Sequence, residues 1–460
     1  LARTGALKPP VDRPRGVNRN DRAITGLAML AHGMVHTYEL SIPIFLTVWL
    51  VEFSVIDLGV AQFPVNAATL GVVLTAGYGL FGLGALPGGV LVDRIGSRRL
   101  ITACLLGMAG SFLLLFLAPG VPTIAFALLV WGASASVYHP AGLAMISKGV
   151  QQRGTGFAYH GIAGNVGIGL GPLLAAILLL FFDWRVVAGL LAVPAVAAAV
   201  FAVRVDFDET AAVATDGGDA PDAEGENDDG SDSKASAGVD SVAEFLTESR
   251  LLFAGGFTAV FVVVMCSGLY YRGVLTFLPG LLESYPGFEP VPVASLLPAS
   301  LADALGLTAE SGRTIEPNRY FYSGLLMIGV VGQYLGGKLT DRIPVEWGIA
   351  GGFGALTVLA VVFVPVASLG LGPLLVLGAL LGVALFVVQP FYQATVAEYT
   401  PAGTRGLSYG YTYLGVFGVG ALGTTVAGTI LTYASPAVLF ATLAGFGALA
   451  AVIGVALARR

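Results

Sequence analysis

The sequence predicts an all-α membrane protein with twelve transmembrane helices in two pseudo-symmetric six-helix bundles and both termini in the cytoplasm. Three observations carry this expectation. The 460 residues are 56% hydrophobic and 11% charged, with a mean hydropathy of +0.82. A water-soluble domain of this size cannot hide that much apolar surface. Apolar runs of about 18 residues or more, long enough to cross a bilayer, recur twelve times. An acidic, small-residue stretch divides them six and six, and one short pattern returns in both halves.

The runs of the first half are Ile24–Val51, Ala67–Leu91, Leu100–Leu117, Ile124–Ile146, Gly156–Phe181 and Val186–Val203. Those of the second are Leu251–Leu281, Phe321–Leu339, Trp347–Val366, Leu371–Val396, Leu407–Leu431 and Ala437–Leu457. Residues 1–23 read as a polar, Arg/Pro-rich cytoplasmic tail rather than a cleavable signal. Residues 24–205 form the first bundle and 250–460 the second, which carries a long external loop at 283–319 with a short helix expected at Ser300–Leu307. Between the bundles, 206–249 holds roughly half of all the acids among Gly, Ala and Ser. Such a segment buries too little apolar surface to order itself, so a disordered cytoplasmic linker is expected. Its acidity suits a salt-rich cytoplasm and points to a halophilic source.

Orientation follows from the basic residues. Arg13, Arg15, Arg19 and Arg22 precede the first span, and Arg94, Arg98 and Arg99 follow the second. Lys148 and Arg153 follow the fourth, Lys338 and Arg342 the eighth, Arg405 the tenth, and Arg459 and Arg460 the twelfth. The alternate loops hold few cations, chiefly Arg185, Arg313 and Arg319. The positive-inside rule then places both ends of the chain in the cytoplasm of a multi-pass protein of the cell membrane. Gly 64 is high and fits closely packed spans. Cys104 and Cys266 both lie in apolar runs, so neither a disulfide framework nor a metal site is expected.

The candidate site begins in the first span. His32, His36, Glu39 and Pro43 fall at i, i+4, i+7 and i+11, a single face of a helix. Imidazoles and a carboxylate in hydrocarbon are costly, so such groups mark ion or substrate pathways. The other two histidines, His139 and His160, also lie inside apolar runs. These five groups, Glu39, His36, His139, His160 and His32, are the candidates for proton coupling, since histidine titrates near physiological pH. The closing part of the seventh run brings Tyr271 and Arg272. Aligning Pro279 with Pro43 sets Arg272 at the depth of Glu39, and a buried Arg needs a partner: Glu39 or an anionic substrate. Gln389 and Gln393 in the tenth span, with Tyr138, Asn165 and Tyr392, complete the expected substrate-binding set.

The internal repeat is Gly88-Gly89-Val90-Leu91-Val92-Asp93-Arg94-Ile95, which returns as Gly336-Gly337-Lys338-Leu339-Thr340-Asp341-Arg342-Ile343. Parallel halves of six spans are the architecture of a rocking-bundle transporter with its site between the halves. The fuller pattern, Gly89-x-Leu91-x-Asp93-Arg94-x-Gly96-x-Arg98-Arg99, resembles the signature of the major facilitator superfamily. The resemblance implies the major facilitator fold, with Gly89, Asp93, Arg94, Gly96, Arg98, Arg99, Asp341 and Arg342 as a gating latch across the cytoplasmic seam. Gly167, Gly171 and Pro172 in the fifth span are similar to the antiporter motif of drug/proton exchangers. Tyr138-His139-Pro140, with His32 in the first span, resembles the fosmidomycin-resistance branch, although the fourth span lacks the Arg that exchangers often use.

The expected function is secondary active transport of a small organic solute, anionic or amphipathic, by proton-coupled antiport and efflux. The alternative is a proton symporter or facilitator importing a carboxylate or similar nutrient, and a transporter-like receptor is more remote. No catalytic constellation stands outside the spans, so an enzyme is not expected. No cofactor is expected beyond an ion gradient, and the expected partners are the bilayer and the solute, with no nucleic acid, for a monomer.

Overall fold

The computed structural model describes residues 18–216, 242–304, 313–401 and 404–459. Helix α1 (Arg19–Glu52) starts at Asn18, whose side chain accepts from the Asp21 amide. A short hairpin of β1 (Val55–Asp57) and β2 (Gln62–Pro64) leads to α2 (Ala67–Leu83), which opens on a reciprocal Asn66/Thr69 capping box. Then come α3 (Ala85–Ile95), α4 (Ser97–Phe116), α5 (Val121–Ser136), α6 (Tyr138–Gly149), α7 (Arg153–Leu178) and α8 (Trp184–Arg204). After α9 (Ala211–Asp216) the chain resumes with α10 (Val242–Phe253), α11 (Phe257–Leu275) and α12 (Leu278–Leu282). Strand β3 (Val291–Pro292) pairs with β4 (Thr314–Ile315), with α13 (Ala299–Ala304) between them. The last spans are α14 (Pro317–Thr340), α15 (Val345–Ala367), α16 (Leu371–Glu398), α17 (Arg405–Tyr413), a π-helical turn at Leu414–Val419, α18 (Leu422–Tyr433) and α19 (Pro436–Ala458).

Among the described residues, ten helical spans are long and apolar enough to cross a bilayer, or eleven when α2 and α3, bent by 46°, count as one. The protein is therefore an all-α, multi-pass membrane protein. The expected run Phe321–Leu339 lies in α14, whose 24 residues are long enough. Asn318, Arg319, Gln333 and Lys338 dilute its apolarity, so composition alone does not select it. The expected linker also narrows, because α9 and α10 give both its flanks helical structure. Its centre, 217–241, lies outside the described residues, as do residues 1–17 with Arg13 and Arg15, the side chain of Arg405, Arg460, and the end of the helix expected at Ser300–Leu307.

Three spans are interrupted along their length. The second divides at Gly84, the fourth at Val137, and the eleventh carries its π turn at Leu414–Val419. Interruptions of this kind free backbone groups and concentrate where a helix serves a site.

Helices before residue 205 pack chiefly among themselves: α1 on α7, α4 on α8 and α2 on α5. Those after 256 do the same, α14 on α16, α15 on α19 and α11 on α18. The two groups meet where α2 packs on α18, α7 on α14 and α1 on α12. At the end away from Arg94 and Lys148 this seam is knitted by hydrogen bonds. The Ala68 amide donates to Thr432 Oγ1 at 2.9 Å, Thr75 and Thr425 hydroxyls meet at 2.7 Å, and Arg319 Nη2 donates to Thr47 Oγ1 at 3.4 Å. Arg185, one of the cations off the basic end, is paired with Glu52 at 2.7 Å and donates to the Ala118 carbonyl.

Candidate functional site

Small residues decide how α1 presents its polar face. Along α7, Gly164 lies under the His32 ring, Gly167 under the Gly33 backbone and Gly171 under Thr37, so that a Cβ at Gly171 would sit 2.6 Å from Thr37 Cα. With no Cβ at these positions the two helices approach backbone to backbone. The antiporter-like residues Gly167, Gly171 and Pro172 are all buried in this contact, and close packing accounts for the glycines.

The contact turns His32, His36 and Glu39 toward the interior, where they form a chain. His32 Nδ1 lies 2.7 Å from the His160 carbonyl, so it carries hydrogen and donates. His32 Nε2 is then an acceptor, and His36 Nε2–H, 3.1 Å away, donates to it. His36 Nδ1 lies 2.6 Å from Glu39 Oε2, leaving one proton for these two atoms to share. Arg272 of α11 donates to the other oxygen, Glu39 Oε1. His139 stands edge-on to His32 at 5.3 Å and to His36 at 5.6 Å between ring centres, and His160 stacks on His32 at 3.8 Å.

The Glu39–Arg272 ion pair is fully buried and joins the first helix group to the second. Tyr78 braces it. The Arg272 guanidinium lies 3.8 Å from the Tyr78 ring centre, and the Tyr78 hydroxyl donates to the Glu39 carbonyl at 3.2 Å. Tyr78 did not stand out in the sequence, because one Tyr in an apolar run carries no signal of which face it takes. Arg272 Nε has no hydrogen-bond partner among the described residues, so the guanidinium keeps a donor in reserve.

Glu39, His36, His32, His139 and His160 line a cavity of about 680 Å³. Asn165 borders it from α7, Tyr271 from α11, and Gln389, Tyr392 and Gln393 from α16. It runs past Leu143 to an exposed rim of Ser147, Phe157 and Tyr409, at the basic end of the molecule. Arg272 sits behind Glu39 rather than on the cavity wall. Tyr138, expected as a substrate residue, is corrected to a support: its ring stacks on His32, and its buried hydroxyl donates to the Ala28 carbonyl at 2.5 Å. Gln333 and Tyr413 line the cavity but were missed, again as isolated polar groups in apolar runs.

The signature residues lie apart from this cavity, at the basic end. Gly96 takes φ 90°, the left-handed region that favours glycine, and turns the chain from α3 into α4. Asp93 accepts from Lys148 Nζ at 3.0 Å. Arg98 donates to the carbonyls of Ala202 and Val203, both at 2.7 Å, and lies 5.1 Å from the Phe207 ring centre. These contacts stay within the first helix group, which corrects the expectation of ion pairs across the seam. Glu209, an unexpected participant, accepts from the Ser97 and Arg98 amides at 3.0 and 3.1 Å and caps α4. Arg94 and Arg99 lie on the surface beside them with Gly89 half-buried, and Asp341 and Arg342 are exposed at the end of α14.

The model of the Major Facilitator Superfamily matches residues 23–327. An uncharacterised MFS-type transporter of Mycobacterium tuberculosis is 28% identical over 174 residues, 37% of this chain, and the chain covers 38% of that relative's length. Among solved structures, the nucleoside transporter NupG is similar over 96% of this chain and 100% of its own, with TM-score 0.66 and 14% identity. The peptide transporter POT, in complex with sulfate, is similar over 95% of this chain and 94% of its own, also with TM-score 0.66 and 14% identity. At such identities the likeness is one of fold. The breadth of the family match leads to one conclusion: this chain belongs to the major facilitator superfamily.

Proposed function

We propose that the protein takes up a small organic anion together with a proton, and that Arg272 anchors the anion in competition with Glu39. The buried Glu39–Arg272 pair at the closed end of the cavity carries this reading. An arriving carboxylate that takes Arg272 leaves Glu39 as a buried, unpaired charge, a costly state. Glu39 removes that cost by taking the proton it shares with His36, and a proton drawn from the cavity replaces it on His36. Anion and proton then bind together and travel together, which is symport. A cationic cargo would instead compete with the proton for Glu39, and exchange would follow. Packing accounts for the fifth-span glycines without any role in exchange, and this further favours symport over the antiport expected from the sequence.

In this scheme His139, His160 and His32 relay protons toward the rim, while Gln389, Gln393, Asn165, Tyr271 and Tyr392 select the solute by hydrogen bonding and shape. The basic end is cytoplasmic, the two helix groups are six-span bundles of a monomer, and Asp93, Arg94 and Arg98 latch the first bundle. The resemblance to the fosmidomycin-resistance branch extends to the Tyr138-His139-Pro140 element and His32, and says nothing of direction. The acidic segment supports a halophilic origin.

Counterflow of radiolabelled small carboxylates in proteoliposomes tests the reading. An inside-alkaline gradient should drive uptake; Glu39→Gln should retain counterflow but lose the gradient response, and Arg272→Ala should lose both. Uptake indifferent to the gradient, with Arg272→Ala like wild type, would sink it. A second reading, export, is favoured by the cavity rim at the basic end, from which a cytoplasmic solute can load. Gradient-driven efflux of a cation from the same vesicles would establish it instead.

A further inference from the structure

We infer that His32, His36 and His139 form a binding site for a divalent transition-metal ion of the zinc, cobalt and nickel class. Each ring offers one nitrogen, and the three donor atoms lie within 4.8 Å of one another in a buried cluster on the cavity wall. Imidazole is the side-chain ligand these ions favour, and three histidines with an open fourth position make a tetrahedral site that can take one further ligand.

The orientation of the rings argues for a metal more strongly than their number does. A metal-binding imidazole characteristically donates its second ring N–H to a carbonyl or carboxylate, which fixes the tautomer and the ring plane. His32 does so to the His160 carbonyl at 2.7 Å, and His36 faces the Glu39 carboxylate at 2.6 Å. Both histidines therefore turn Nε2 toward the same point, and those two atoms lie 3.1 Å apart. Tetrahedral ligands about 2.0–2.1 Å from zinc stand about 3.3 Å from each other, so this edge of the site is already at the required spacing. His139 completes it by closing about 1.5 Å, from within 4.8 Å to the tetrahedral spacing, a rotation of one side chain just after the break between α5 and α6. The entering ion replaces the hydrogen that His36 Nε2 now holds toward His32, and that proton leaves through the cavity.

Charge defines what fills the fourth position. With His36 Nε2–H in place and one proton shared between His36 Nδ1 and Glu39, the Glu39, His36 and Arg272 set carries one positive charge, and exchange of the Nε2 proton for a divalent ion raises it to two in a buried wall. An anionic group in the cavity, a carboxylate or an equivalent oxygen donor, is the matching ligand. The metal site does not depend on the direction or coupling of transport, since occupancy is read without flux.

The test uses the purified, tag-free full chain titrated with Co²⁺ alone. One equivalent should produce the intense visible bands of tetrahedral cobalt, bleached by Zn²⁺. His36→Gln and His139→Gln should abolish the bands. Glu39→Gln should weaken binding by about 10–100-fold, as loss of an outer-sphere partner does. A variant with Cys104→Ser and Cys266→Ser should bind normally, which excludes thiolate ligands. Bands of octahedral type only, or tetrahedral binding that survives both histidine variants, would overturn the proposal. Should those variants fail to fold, wild-type protein answers the question by mass-spectrometric mapping of diethyl pyrocarbonate labelling. Zn²⁺ should shield His32, His36 and His139, and unchanged labelling of all three would refute the site.

Discussion

Removing one charge from the Glu39–Arg272 pair should destabilise the protein unequally, depending on which charge goes. The side chains are 2% and 3% exposed, so water screens neither, and breaking a buried pair costs about 3–5 kcal/mol. Glu39→Gln leaves the buried guanidinium without a counter-charge, held by a neutral amide oxygen and by the Tyr78 and Tyr271 rings, the cation–π contact being worth about 0.5–2 kcal/mol. Arg272→Met leaves a carboxylate that already shares a proton with His36 2.6 Å away, so the stranded charge can be neutralised. Glu39→Gln should therefore lower the unfolding midpoint by about 6–10 °C, at about 2 °C per kcal/mol for a large chain, and Arg272→Met by roughly half of that. The double variant strands no charge and should recover most of the loss, a coupling of about 2–3 kcal/mol in the cycle. The assay is thermal unfolding of the four proteins in one detergent, followed by tryptophan fluorescence. Additive losses, or single variants as stable as wild type, would refute a tightly coupled buried pair.

Other substitutions probe the surrounding frame. Gly171→Ala places a methyl 2.6 Å from Thr37 Cα and should cost about 1–3 kcal/mol by overpacking, whereas Gly161→Ala, with nothing within 4 Å, should leave the melting curve unchanged. Glu209→Ala removes the cap on α4 and should cost about 0.5–2 kcal/mol, seen as faster hydrogen exchange at the Ser97 and Arg98 amides. Unchanged exchange there would show that the cap contributes nothing. If the acidic segment marks a salt-rich cytoplasm, the unfolding midpoint should rise steadily into molar KCl; a midpoint flat in salt would argue against that origin.

Much of the frame was readable because a bilayer imposes length and apolarity on every span. The stripe of His32, His36 and Glu39 was visible because helical periodicity alone sets which residues share a face. Arg272 could be set against Glu39 because the repeat relates the two halves. What escaped depends on contacts between helices. Tyr78 and Gln333 are ordinary polar groups whose facing is fixed only by packing. Tyr138 was expected among the neighbours of the cavity, yet its hydroxyl turns onto α1. Asp93 could be paired in sequence with any basic residue nearby, and only the fold selects Lys148. Likewise, Glu209 looked like one more acid of the linker until the fold laid it over the start of α4.

The π-helical turn at Leu414–Val419 inserts a surplus residue into the eleventh span. One residue is worth about 100° of helical rotation, so the two parts of the span are phased independently. Before and within the turn, Tyr413 and Phe417 stack against one another and lie against His139, with ring centres at 4.9 and 5.9 Å. After it, Thr425 faces α2 and helps to seal the seam. One helix thus serves the floor of the cavity and the closure of the opposite end without either task dictating the residues of the other. Sequence changes that tune what the cavity accepts can accumulate below the turn while the seal above it keeps its register.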